Sequence, residues 1–164
     1  MSLLPSAAAS GVSQSPVPLR EATPSDIEFI RALCRRLFLA YGSYHRYVEE
    51  WFHHETVSTL VAEIEGRPAG FVMVALRPGA CDLVALAVTP ELQSRGAGKA
   101  LLGKAVALAR ESNLGIREMH LQVAEGNARA QRMFAKHGFR VRAETGIYPA
   151  GQRALFMEKA LGGR

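Results

Sequence analysis

The segment Leu86-Ala87-Val88-Thr89-Pro90-Glu91-Leu92-Gln93-Ser94-Arg95-Gly96-Ala97-Gly98-Lys99 carries the strongest chemical signal, because an apolar run gives way there to a glycine-bearing turn opening a helical pattern. The first N–H groups of a helix lack intrahelical partners, and the helix dipole adds positive potential at the same end. A turn of this kind suits a diphosphate. Gly96 and Gly98 let the backbone approach phosphate oxygens with no Cβ in the way, while Arg95 and Lys99 add charge from the rim. Without a ligand, the same residues are a glycine-loosened helix start.

Two other phosphate patterns fail on this segment. A Walker A loop requires glycine five residues before the Gly-Lys pair and a hydroxyl after it, but Gln93 and Ala100 hold those positions. A dinucleotide fingerprint requires a small third residue and an immediate strand-to-turn junction, whereas Leu101 takes that place and Thr89 to Arg95 intervenes. Downstream lies a second patterned stretch, Asn127-x-x-Ala130-x-x-x-Phe134-x-x-x-Gly138-Phe139.

The elements around these segments follow from apolar spacing. Residues 18–22 predict a short first strand, and Thr23-Pro24-Ser25-Asp26 is a helix-start signal. Ile27, Ile30, Leu33, Cys34, Leu37 and Phe38 then recur at helical spacing, ending near Gly42. A second helix is expected over residues 44–54, with Tyr44, Tyr47, Val48 and Trp51 as its apolar stripe. A hairpin follows, residues 59–64 and 69–76 about the turn Glu65-Gly66-Arg67-Pro68; the very apolar run 81–88 is expected as a central strand covered on both faces. Helix 96–112, strand 119–124, helix 128–136, strand 139–143, a loop around 146–152 and a last strand 154–161 complete the chain. Alternation of strand and helix only in the second half predicts an α/β (α+β) chain: a mixed sheet with helices on both faces.

A chain of 164 residues, 48% hydrophobic and 21% charged, suits one cored domain. Residues 1–18, rich in Ala, Ser and Pro and without charge, are expected to be a disordered leader, leaving 19–164 as the domain. No secretory signal or membrane-length apolar run stands out, so a cytoplasmic protein is expected. Cys34 and Cys81 lack paired or metal-ligand spacing and are expected as buried thiols. The net charge of +5 is spread along the chain, which argues against nucleic acid as partner. Adjacent His53, His54 and Glu55 diverge by about 100° per residue on a helix, so no metal is expected there.

The first segment resembles the cofactor motif of the GCN5-related acetyltransferases (GNAT), Gln/Arg-x-x-Gly-x-Gly/Ala, matched by Gln93, Gly96 and Gly98. The strand ending Val88-Thr89-Pro90 is similar to that family's fourth strand, and the Asn127 to Phe139 stretch to its second signature. The resemblance covers residues 19–161. It implies a single GNAT-like domain, mostly antiparallel, whose fourth and fifth strands splay apart so that the pantetheine arm of acetyl-CoA enters like an extra strand. It also implies that the backbone of Gln93, Ser94, Arg95, Gly96, Ala97, Gly98 and Lys99 holds the diphosphate. Leu86, Ala87 and Val88 would then run beside the arm, and Asn127, Ala130 and Phe134 would lie at the cofactor's thiol end.

The implied reaction is acetyl transfer to a primary amine of a small molecule, a peptide N-terminus or a lysine, by direct attack in a ternary complex. A Lys-like amine with pKa about 10.4 is protonated at neutral pH, so a base or desolvation must remove its proton. Asp82 is the candidate base: it opens the fourth strand where some family members carry a carboxylate, and alternation places it on the face of Leu86 and Val88. A solvated strand-start carboxylate is the competing reading, and Asp, shorter than Glu, would act through water. The Leu86 N–H is the candidate donor to charge developing on the carbonyl oxygen. Phe134 stands where many relatives carry a proton-donating Tyr, leaving Tyr148 or water for that task. His120 and Gln122 are expected on one strand face, His120 as a second base or a structural histidine. In the family the acceptor lies near residues 39–51 and 146–153, which nominates Tyr41, Tyr44, His45 and Tyr148 as packing or acceptor residues. With Phe134 in place of Tyr, the alternative is a non-catalytic acyl-CoA sensor. Neither the acceptor's identity nor the oligomeric state, monomer or dimer, is encoded in a motif.

Overall fold

A computed structural model describes residues 16–162. Residues 1–15 of the expected leader lie outside the described residues, while Val17 packs on the core and the Pro18 carbonyl accepts the Glu63 N–H at 2.9 Å. Seven strands follow: β1 (Leu19–Glu21), β2 (Val57–Ile64), β3 (Arg67–Arg77), β4 (Ala80–Val88), β5 (Glu118–Ala124), β6 (Arg140–Ile147) and β7 (Arg153–Ala160). The helices are α1 (Ile27–Phe38), α2 (Val48–Phe52), α3 (Ala97–Glu111) and α4 (Ala128–Lys136). The strands form one sheet in the order β1-β2-β3-β4-β5-β7-β6, antiparallel except for β4 beside β5.

The expected mixed sheet with helices on both faces is the observed architecture. On one face α3 and α4 cover a core that includes Leu101, Leu102, Ala105, Met119, Val123 and Phe134. On the other, α1 and α2 bury Ile30, Leu33, Cys34 and Val48 against Phe71, Met73, Ala85 and Ala87. β4 lies between the two cores, as its apolar run requires.

Three local departures have physical causes. Residues 44–54 do not form one helix. A 3-10 turn spans Tyr44–Arg46 and α2 starts only at Val48, which resets the helical phase and leaves Tyr47, expected in the apolar stripe, 53% exposed. β6 extends to Ile147, past the expected end at Ala143, because its pairing with β7 resumes at Thr145 after a register shift beyond Val141. In the third departure, Met73 pairs with Ala85 and Val74 with Leu83, so Val84 is an extra residue bulged into β4. The bulge reverses side-chain alternation: Cys81 and Leu83 before it face the α3 core, whereas Ala85 and Ala87 after it face the α1 core. Asp82 therefore lies on the face of Ala85 and Ala87, opposite Leu86 and Val88, which corrects the placement expected from simple alternation.

Candidate active site

The parallel pairing of β4 with β5 covers only Ala80 with Glu118, Cys81 with Met119 and Asp82 with His120. Beyond this point the strands separate, one residue before the Val84 bulge. Past the bulge, the Thr89 N–H donates to Ala69 of β3 at 2.7 Å. Alternate backbone groups point to opposite edges of a strand, so those of Ala87 also point to β3 while those of Leu86 and Val88 face the open gap. A Cβ on Gly70 would lie 2.7 Å from the Ala87 carbonyl oxygen, so β3 needs glycine there to hold β4 at this distance.

At the end of the gap stands the turn predicted as an anion site. Gly96 caps α3 with φ of +90°, and Ser94 has φ of +66°, both in the left-handed region. None of the backbone N–H groups from Ser94 to Lys99 finds an acceptor among the described residues; the first bonded one is Ala100, which donates to Gly96 at 3.0 Å. Gln93 is the exception within the expected set, because its N–H donates to the Pro90 carbonyl at 3.3 Å. Its side chain ties the site together instead. The Gln93 amide donates to the Val88 carbonyl at 3.1 Å, and its oxygen accepts from Arg129 at 2.6 Å. Arg129 also donates to the Ser94 hydroxyl at 3.1 Å, so the start of α4 clasps the turn.

A continuous cleft of about 930 Å³ runs from this turn through the gap between β4 and β5 to the opposite face of the sheet. Its size is near the top of the range for cofactor sites, about 300–1,000 Å³. The α3 and α4 end is lined by Gln93, Ser94, Gly96, Gly98 and Lys99, with Asn127, Ala130 and Phe134 across from them. Arg95 turns away toward Glu65, 3.6 Å from it, and Ala97 faces the core. The Asn127 oxygen accepts the Ala130 N–H at 3.1 Å as the cap of α4. Phe134 is buried with its ring edge-on to Phe139. A bed of free N–H groups beside two left-handed turn residues fits a diphosphate, and an unpaired strand edge fits an amide-bearing arm. By these observations the residues present fit acetyl-CoA.

At the other end, Asp82 and His120 sit where the strands part. Asp82 accepts from Arg77 at 2.5 Å and 3.0 Å, and its second oxygen lies 3.8 Å from His120 Nδ1. His120 Nε2 is 2.8 Å from a Glu118 carboxylate oxygen. Gln122 shares this face, as expected. Tyr41, Tyr44 and Tyr148 line the cleft there; His45 does not. Burial pushes the Tyr148 phenol up to about 12, with Tyr44 and Tyr41 adding to the effect, and burial alone raises Tyr44. His54 is used in a turn, its Nδ1 accepting the Thr56 N–H at 3.2 Å. Cys34 and Cys81 are free and buried.

Sequence reasoning missed Arg129, Met133 and the aromatic residues Phe38 and Phe156 as lining groups. The basic spacing Arg129, Arg132, Lys136 on one helix face was the available signal for the first. Nothing local marks Phe156, which reaches the cleft because β7 pairs it with Gln122.

The profile of the Acetyltransferase (GNAT) family matches residues 27–139. An L-2,4-diaminobutyric acid acetyltransferase from Nocardia farcinica is 31% identical over 112 residues, a match covering 66% of this chain and 57% of that relative's length. Among solved structures, Ard1 from Thermoplasma volcanium superposes with a TM-score of 0.79 at 22% identity, over 91% of this chain and 100% of that one. PaiA N-acetyltransferase from Thermoplasma acidophilum, solved in complex with coenzyme A, gives 0.71 at 21% identity, over 88% and 98%. At these identities the structural likenesses establish a shared fold.

Proposed function

The chain belongs to the GNAT family of acetyltransferases, and on that footing we propose that it transfers the acetyl group of acetyl-CoA to a primary amine by direct attack in a ternary complex. The observation that carries this reading is the open β4–β5 gap ending on free N–H groups at the start of α3. Acetyl-CoA supplies a thioester whose carbonyl an uncharged amine attacks.

Ser94 to Lys99 bind the diphosphate through their backbone, with Arg129 and Gln93 holding the turn in shape. The Leu86 N–H, directed into the gap, donates to the carbonyl oxygen as it gains charge. Asp82 lies on the α1 face, from which the acceptor approaches, so the bulge puts the carboxylate on the side where an ammonium proton must leave. Asp82, directly or through water, takes that proton, and neighbouring His120 offers it an onward route. Phe134 has no proton to give, so Tyr148, which lines the same cleft and keeps its proton at neutral pH, or water protonates the departing thiolate. The intracellular supply of acetyl-CoA and two unpaired cysteines support a place in the cytoplasm. Among the described residues no helix is long and apolar enough to cross a membrane.

Free-thiol release from acetyl-CoA, measured over a panel of amines, amino acids, polyamines and N-terminal peptides, tests the reading. Turnover is expected in the intact protein and not in Gly96→Glu, where a Cβ at φ of +90° and a carboxylate oppose the diphosphate. Failure of the intact protein to bind acetyl-CoA sinks it.

A further inference from the structure

The two ends of the cleft differ in chemistry. Lys99, Arg129, Arg132 and Lys136, the Lys and Arg side chains that line it among the described residues, all come from α3 and α4, at the anion-binding end. At the α1 end the wall is aromatic: Phe38, Tyr41, Tyr44, Trp51, Tyr148 and Phe156. These rings are assembled from separate elements, and all but Phe156 pair with one another. The Tyr41 and Tyr148 centroids are 5.2 Å apart, those of Tyr44 and Trp51 5.9 Å, and Tyr44 meets both Phe38 and Tyr148 edge-on at 6.4 Å. Asp82 is the one carboxylate lining the cleft among the described residues.

We infer that the acceptor is a primary amine carried on an apolar, aromatic-sized body with no acid group beside the nitrogen. This rests on the acetyl-transfer reading above and deepens it. Aromatic faces bury flat apolar groups well and attract an ammonium before it loses its proton, and the Asp82 oxygen not held by Arg77 offers that ammonium an acceptor at the point where the strands part. An acceptor carboxylate at this end would meet no Lys or Arg lining the cleft among the described residues; Arg77 is already engaged by Asp82 and the lining His120 by Glu118, so the carboxylate would be desolvated beside Asp82 without an uncommitted cation. Free arylalkylamines and peptides beginning with an aromatic residue share the favoured chemistry. Amino-acid acceptors that keep a free carboxylate, such as 2,4-diaminobutyrate, do not.

The test compares phenethylamine, phenylalaninamide, a peptide amide with N-terminal Phe, free phenylalanine and 2,4-diaminobutyrate in the thiol-release assay, with acetyl-CoA binding measured separately by calorimetry. Phenylalaninamide is expected to exceed phenylalanine in kcat/KM by at least about tenfold once each rate is expressed per unprotonated amine from its pH profile, because the amide is also the weaker base. The better of phenethylamine and the peptide identifies the source of the amine. Trp51→Ala and Tyr148→Ala are each expected to raise KM for the aromatic acceptors about tenfold while acetyl-CoA affinity holds. Turnover that favours 2,4-diaminobutyrate or phenylalanine, or acetyl-CoA binding with no turnover of any aromatic amine, overturns the inference and leaves the cofactor reading standing. Loss of acetyl-CoA binding itself overturns the transferase reading, and this inference with it.

Discussion

At the scale of single residues, the site divides into groups that contribute backbone and groups that contribute side chains. In the proposed reaction Ser94 to Lys99 act through N–H groups, so most of their side chains are replaceable, whereas Gln93 and Arg129 hold the turn through theirs. Arg129→Ala removes two hydrogen bonds holding the turn; it is expected to raise KM for acetyl-CoA about fivefold, near 1 kcal/mol, with thermal stability unchanged. Asp82→Asn separates the two readings of that carboxylate. A general base predicts a fall in kcat of about 10²-fold or more at unchanged KM for acetyl-CoA, and a fall below about tenfold assigns Asp82 to pairing with Arg77. Sequence spacing sufficed to find Gly96 and Gly98, because a turn motif is contiguous. Arg129 was not found, because its partners Gln93 and Ser94 are brought to it only by the packing of α4 beside α3.

At the scale of elements, the decisive object is β4, paired along its length with β3 and released by β5 after three residues. Two irregularities shape it: the Val84 bulge, and the close approach of Gly70 to Ala87. Gly70→Ala places a Cβ 2.7 Å from a backbone oxygen that has no side chain to move, so β4 must shift. Urea unfolding is expected to show a loss of about 1–3 kcal/mol, with weaker acetyl-CoA binding because the shifted strand is the wall of the gap. At the sheet edge, Arg20 donates to Asp26 at 2.7 Å and 2.8 Å and to Glu63 at 2.7 Å, tying the entry of α1 to β1 and β2. Arg20 holds the Asp26 carboxyl below its ordinary range. This stabilisation is present above the unfolded carboxyl's pKa of about 3.9 and is lost as pH falls through the lower folded value. Asp26→Asn is expected to destabilise the fold at pH 7 by about 2–3 kcal/mol and to flatten the acid limb of a plot of Tm against pH.

At the scale of the whole molecule, one cleft crosses the sheet and joins an anion-binding end to an aromatic end. Ligand binding at such a seam stabilises both flanking cores. Acetyl-CoA at about 100 times its Kd is expected to add about 2.7 kcal/mol, seen as a rise in Tm of several degrees in a thermal melt. The same burial limits the fold at high pH. Cys34 and Cys81 are pushed up from 9.0 to about 12 and Tyr148 from 10.0 to about 12, chiefly by desolvation. Each group keeps its proton in the folded state where the unfolded chain has lost it. Their contribution is therefore intact below about pH 9 and falls as pH rises toward 12. Cys34→Ala is expected to make that alkaline decline shallower.

The sequence by itself determined what is periodic or contiguous: the order of helices and strands, the buried central strand, the glycine turn that exposes N–H groups, and the family to which these motifs point. Hydrophobic spacing and turn chemistry act within a few residues, so a linear reading captures them. Only the tertiary structure decided the face on which Asp82 lies, because one bulged residue reverses every side chain before it. It also brought Phe38, Tyr41, Tyr44, Trp51, Tyr148 and Phe156, distant in the chain, into one wall at the cleft. The proposed acceptor preference rests on that wall, and no local pattern encodes an arrangement that arises only when α1, α2, β7 and the β6–β7 loop pack together.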